Sequence, residues 1–98
     1  MTHAPNSLAA RDLAYSLHPY TNLAVHQERG PIVITRGEGI YVYDDQDNQY
    51  IEGLAGLWCT GLGFSESRLF KAAQTQFEQL PFSHSFAHRA TVPVIELS

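Results

Sequence analysis

The sequence predicts an α+β segment: an N-terminal helix, a three-stranded antiparallel meander, then a further helix. Three observations carry this. Leu8, Leu13 and Leu17, with Ala9, Ala10, Ala14 and Tyr15, recur at helical spacing ahead of Pro19. Residues 32–36 and 40–43 are β-branched and aromatic runs joined through Gly37-Glu38-Gly39, a hairpin pattern. Leu69, Ala73, Phe77 and Leu80, with Phe70 beside them, form a helical stripe opposite Arg68, Lys71, Gln74, Thr75 and Glu78.

Each element has its start and stop signals. Asn6 or Ser7 caps the first helix, and Pro19 ends it because the residue before a proline is pushed out of the helical region. Residues 18–22 read as a turn. The strand at 32–36 follows Gly30-Pro31, and the polar run at 44–48 reverses the chain, with Asn48 placed to take positive φ. Residues 49–52 return as the third strand. Ser65 is expected to cap the second helix, with Glu66 in its first turn, where the helix dipole favours an acid, and Phe64 stapled against Leu69. Pro81 closes it. Residues 82–86 form an aromatic and polar loop, and Thr91 caps a last helix with Pro93 in its first turn. That element is cut short at Ser98, so the chain reads as a single N-terminal segment, residues 1–98, of a longer protein.

Between meander and helix lies Gly53-Leu-Ala-Gly-Leu-Trp-Cys-Thr-Gly-Leu-Gly-Phe64, which holds the only tryptophan and the only cysteine. Four glycines in its first eleven residues permit tight backbone, while Leu57, Trp58, Leu62 and Phe64 offer large apolar surfaces. The residues leave two readings open, a ligand pocket or a buried turn packing its indole into a core. Cys59, beside Trp58 and without a base or cation near it in sequence, is expected to be a small buried hydrophobe.

Composition narrows the classes of function. At 44% hydrophobic and 16% charged, the chain is globular rather than disordered. A net charge of −4 with six scattered lysines and arginines disfavours nucleic acid and anionic membrane surfaces. No run approaches membrane-spanning length, a single cysteine cannot form an internal disulfide, and no signal-peptide pattern stands at the N-terminus, so the cytoplasm is the expected compartment. His84 and His88 lie four apart, but nothing nearby supplies a third metal ligand. Gly61-Leu62-Gly63 lacks the third glycine and the Lys-Ser/Thr of a phosphate loop.

The ordered set His18-Pro19, Gly30-Pro31, Arg36-Gly-Glu-Gly39, Tyr41-x-x-Asp44, Tyr50-Ile-Glu-Gly53, Gly56-Leu-Trp-Cys59, Gly61-x-Gly63, Ala72-Ala73-x-x-Gln76 and Pro81-x-x-His84 resembles the N-terminus of a class III aminotransferase of the ω-amino acid:pyruvate type. The resemblance runs from Tyr15 to Arg89. It departs at Asn48, where the family usually has Gly, and at Glu52, where it has Asp; both changes preserve turn geometry or charge.

The resemblance implies a fold-type I α/β protein when complete, pyridoxal 5′-phosphate as cofactor, an amino donor and a keto acid as substrates, and a homodimer. It places the Schiff-base lysine and the phosphate-binding and pyridine-facing residues beyond Ser98, which leaves Lys71, the sole lysine, on the polar face of its helix. What it assigns to this segment is substrate-pocket wall: Tyr20, Leu57 and Trp58, and Phe86 reaching the other subunit's site. No catalytic, cofactor-binding or metal residue is assigned here. Relatives of similar sequence decarboxylate or isomerise on the same cofactor, and a non-catalytic interaction module is the reading from another class.

Overall fold

A computed structural model describes residues 3–98. They fall into two compact units, the first ending at Ser65 and the second comprising Glu66–Ser98.

The first unit opens with helix α1, Leu8–Tyr15, whose N-cap Ser7 accepts a hydrogen bond from the Ala10 N–H at 3.2 Å. The helix stops at Tyr15 and does not reach Leu17, which is exposed. A second helix, α2, Leu23–Arg29, follows, where the sequence predicted no element. Its signals are local. Asn22 Oδ1 accepts from the Val25 N–H at 3.2 Å as N-cap, and Gly30 at φ 73 ends it in a backbone conformation that glycine adopts without steric cost.

The meander forms as predicted, with shifted edges. Strands β1 (Ile34–Glu38), β2 (Tyr41–Asp44) and β3 (Gln49–Ile51) pair antiparallel in the order β1-β2-β3. Gly37 and Glu38, expected as connection, extend β1, since Glu38 pairs with Tyr41 and leaves Gly39-Ile40 as a two-residue turn with Gly39 at φ 58. A bulge lies between Ile34 and Arg36. In the β2–β3 turn the positive φ falls on Asp47 (φ 61) instead of Asn48, because the Asn48 side chain is committed to Asp44.

Among the described residues only Val42 and Asp44 are buried. Asp44 Oδ1 accepts the Gln46 and Asn48 N–H groups at 2.9 Å, and Oδ2 accepts from Asn48 Nδ2 at 2.9 Å and from the Tyr50 hydroxyl at 3.0 Å. These bonds, led by that from the Asn48 side chain, hold the Asp44 carboxyl below the usual range against the opposing effect of burial, and the same carboxylate pushes Tyr50 up.

The meander meets the glycine-rich stretch by close backbone approach. Phe64 N–H donates to Gly39 O at 2.8 Å, and Ser65 Oγ accepts from the Gly39 N–H at 2.7 Å. Ser65 is thus bound to the hairpin, and Glu66 takes over as the N-cap of the following helix. A side chain at Gly63 (φ +82) would stand 2.6 Å from Gly39 O, and one at Gly37 would stand 2.7 Å from the Phe64 ring.

The glycine stretch of the first unit holds α3, Ala55–Trp58, and the second unit holds α4, Ser67–Gln79, and α5, Val92–Leu97. Glu66 Oε1 accepts from the Arg68 N–H and from Arg68 Nε, an arrangement that holds the Glu66 carboxyl low. The predicted stripe is present, and Leu69, Phe70 and Phe77 remain 59–69% exposed. Thr91 occupies the cap position of α5 without a side-chain hydrogen bond. No helix of the described residues is long and apolar enough to cross a membrane.

Candidate functional site

The glycine stretch folds into an unusual turn. Ala55, Gly56, Leu57 and Trp58 have φ of 51, 60, 61 and 67, with ψ 37 at Gly56 and 57 at Leu57, so α3 (Ala55–Trp58) is one turn of left-handed helix. The Trp58 N–H donates to Leu54 O at 3.0 Å, and the Cys59 and Thr60 N–H groups converge on Ala55 O at 2.9 and 2.8 Å. Glu52 Oε1 accepts from the Leu54 N–H at 2.9 Å and anchors the entry. Only Gly56 takes this backbone freely; each L-residue in it costs about 1–2 kcal/mol. Strain of this kind persists where surrounding bonds over-determine it, and it concentrates at functional sites.

The reversed hand presents side chains instead of packing them. Leu57 is 60% and Trp58 84% exposed. The reading of a buried indole therefore fails for this unit by itself. Cys59 is also exposed, against the expectation of a buried hydrophobe, because it continues the same presented turn with Sγ 3.5 Å from Leu57 O. Thr60 packs beneath Gly56, with its Oγ1 3.4 Å from where a Cβ there would stand.

Tyr20 occupies a second strained turn. It has φ 50, and its side chain is fully exposed and free of hydrogen bonds and ring contacts among the described residues. Thr21 Oγ1 donates to Pro19 O at 2.8 Å within the turn. Below it lies a cluster that sequence reasoning missed. His18 Nε2 sits 2.8 and 2.9 Å from the Asp12 carboxylate oxygens, His26 Nε2 sits 2.9 Å from Oδ2, and the two rings stack tilted at 4.3 Å between centroids. The His26 hydrogen bond above all, with His18 in support and desolvation opposing, holds the Asp12 carboxyl below its usual range. The signal was there in Asn22 and Gly30, which bracket α2 and place His26 on it; without that helix the three residues are unconnected in sequence.

Phe86 lies in the second unit, after α4, and is 76% exposed. Its N–H donates to His84 Nδ1 at 3.2 Å and its ring lies 5.4 Å from the imidazole. Arg89 Nη1 approaches His84 Nε2 at 3.3 Å, and Ala87 and His88 follow at φ 54 and 63. His84 is thus occupied by its own loop, and the one group of three convergent metal-ligating side chains among the described residues is Asp12, His18 and His26.

Tyr20, Leu57 and Trp58 belong to the first unit and Phe86 to the second. None of these four lines the cavity of about 500 Å³ between α1 and residues 31–33, nor the two of about 240 Å³. The residues present do not fit a pyridoxal group, since Lys71 is exposed on α4 and lines none of these cavities.

The sequence pattern of the family Aminotransferase class-III matches residues 23–97, and the chain belongs to that family. It is similar to the solved omega transaminase of Pseudomonas jessenii in complex with PMP, a fold-type I protein, at TM-score 0.89 and 60% identity over 94% of this chain and 20% of that one. A thermostable omega transaminase variant, W58G, engineered for asymmetric synthesis of enantiopure bulky amines, aligns at TM-score 0.88 and 59% identity over 93% of this chain and 20% of that one. Gamma-aminobutyrate transaminase 1, mitochondrial, of Oryza sativa subsp. japonica is 50% identical over 82 residues, which are 84% of this chain and 16% of the relative. The chain therefore spans a fifth or less of the length of these relatives.

Proposed function

We propose that this chain is the N-terminal part of a pyridoxal 5′-phosphate-dependent aminotransferase that moves an amino group from an amine or ω-amino acid to a keto acid such as pyruvate, and that its own contribution is substrate-pocket wall. The observation that carries this reading is the left-handed turn at Ala55–Trp58, which holds Leu57 and Trp58 outward at a cost in backbone strain that a core residue would not need. Flat apolar walls sort substrates by size, at about 1–3 kcal/mol per methylene, without taking part in proton transfer. The similar variant bearing W58G was engineered for bulky amines, and this chain also has a tryptophan at 58. The complex of the Pseudomonas jessenii relative with PMP supports the cofactor.

The test is Trp58→Ala in the whole protein. Relative kcat/KM among amino donors should shift toward bulky ones by about 10-fold or more, because a wall is lost while the reacting groups stay. An equal loss for every donor would reject the pocket role. We further propose a homodimer in which Phe86 serves the partner's site, since its exposure after α4 is that of an aromatic awaiting a second surface. Mixing two inactive whole-protein variants, one lacking the Schiff-base lysine and one carrying Phe86→Asp, should restore partial activity on subunit exchange. No recovery despite exchange and normal folding would reject it. The rice relative is named mitochondrial, so the expected cytoplasmic location is decided by fractionating cells that express the whole protein.

A further inference from the structure

We propose that Asp12, His18 and His26 form a clamp that positions Tyr20 and thereby tunes donor selectivity; this rests on the proposed pocket role of Tyr20. The turn carrying Tyr20 leaves from His18 and re-enters the fold in α2, which carries His26, and both imidazoles donate Nε2–H to the single carboxylate of Asp12 on α1 at 2.8–2.9 Å. One acceptor therefore grips both ends of the turn. The clamp is half-sheltered, with Asp12 and His26 side chains 20% and 10% exposed, whereas the tyrosine it carries is fully exposed.

The strain at Tyr20 makes the clamp necessary. A tyrosine at φ 50 prefers to relax toward negative φ, and Tyr20 has no side-chain contact of its own to prevent it. Within the turn only the Thr21 hydroxyl bond to Pro19 O and the Asn22 cap hold the backbone, and neither fixes the distance between its ends. The two imidazole bonds do. Beyond the cluster, Gln27 Nε2 also reaches back to Leu13 O on α1 at 3.3 Å, a weaker tie on the side away from the turn. Asp12, His18 and His26 are thus positioning residues, acting on substrate through Tyr20.

The experiment is a double-mutant cycle in the whole protein, read as the ratio of kcat/KM for a bulky and a small amino donor. Tyr20→Ala should move the ratio by about 10-fold. Asp12→Asn keeps the shape but leaves a single amide oxygen to accept from two rings, and it should move the ratio about 3-fold in the same direction, with most of that effect absent in the Tyr20→Ala background. His26→Gln, which keeps a donor, should restore what His26→Ala loses. If Tyr20→Ala leaves the ratio unchanged, the pocket role of Tyr20 is wrong. If Tyr20→Ala moves it but Asp12→Asn and His26→Ala do not, or if their effects persist undiminished without Tyr20, the clamp is overturned. Titration of the folded protein with Co(II) provides a check independent of activity, and a ligand-field spectrum that His26→Gln abolishes would make the cluster a metal site and likewise overturn the proposal.

Discussion

The β2–β3 turn and the Ala55–Trp58 turn are both tight turns of a few residues, yet they use their side chains in opposite ways. In the first, Asp44 is buried and accepts four hydrogen bonds, so the turn is held by satisfied polar groups and presents nothing apolar. In the second, three L-residues are held at positive φ by backbone bonds, and two large apolar side chains face outward. The difference teaches that the meander is the scaffold and the left-handed turn is what it carries. A turn whose only purpose was to connect would relax, because each strained residue raises the folded-state energy with no burial in return.

The junction between the two regions should give the largest effect when broken. Gly63→Ala forces a side chain into a backbone oxygen 2.6 Å away at a φ of +82. We expect a loss of about 2–3 kcal/mol, read as a lowered urea midpoint, and release of the Phe64 N–H bond to Gly39 O, read as faster amide exchange at Phe64. Unchanged exchange would show that the two regions do not depend on that contact.

Acid should then separate them. Asp44 titrates below its ordinary value in the fold, so its contribution is complete above that ordinary value and is lost as pH falls through the lower folded one. Tyr50 titrates above its ordinary value, so its contribution is complete below that value and is lost as pH rises through the higher folded one. The Asn48 and Gln46 amide resonances should therefore move in acid with a midpoint under the usual carboxylate range, while the Trp58 and Thr60 amides, bonded to backbone oxygens, should not follow them. A midpoint in the ordinary range would refute the role of the Asp44 hydrogen bonds in holding this turn.

A change of opposite sign tests the strained side. Leu57→Gly relieves a positive φ of 61 at an exposed position and should stabilise the fold by about 0.5–1 kcal/mol while weakening donor discrimination in the whole protein. Destabilisation would mean that the leucine, and not the turn, is structural. The smallest effect belongs to the meander's outer face, where the Arg36 guanidinium lies 3.5 Å from the centre of the Tyr43 ring across the β1–β2 pair; Arg36→Ala should cost about 0.5 kcal/mol by thermal melt.

The sequence made the meander legible because its cues are local: β-branched runs, Gly39 at the hairpin and an Asp/Asn-rich turn. Helices α1 and α4 were legible from periodicity and from Pro19 and Pro81. Helix α2 was not read, although Asn22 and Gly30 mark both of its ends, because residues 23–29 are too short and too polar for a clear apolar face. Missing it hid His26 and with it the clamp. Ser65 has the sequence position of a helix cap, but its hydroxyl has a longer-range use at the Gly39 N–H and Glu66 caps the helix instead. Leu57 and Trp58 stand out in the sequence as large apolar side chains among glycines, which leaves pocket wall and buried turn both open; the glycines point to tight backbone, yet three of the four left-handed positions are not glycine.

By itself, then, the sequence determined the strand order, the three helices α1, α4 and α5, the family resemblance and the residues that offer apolar surface, since each depends on neighbours within a few positions or on an ordered set of motifs. Only the tertiary structure decided the hand of the Ala55–Trp58 turn, the exposure of Cys59 and Trp58, the use of Ser65, and the convergence of Asp12, His18 and His26. The physical reason is common to all four. Each rests on bonds between groups whose meeting depends on how helices and turns close in space, such as Ser65 Oγ with the Gly39 N–H or His26 with Asp12, or on a φ sign that an L-residue takes only when the surrounding bonds require it.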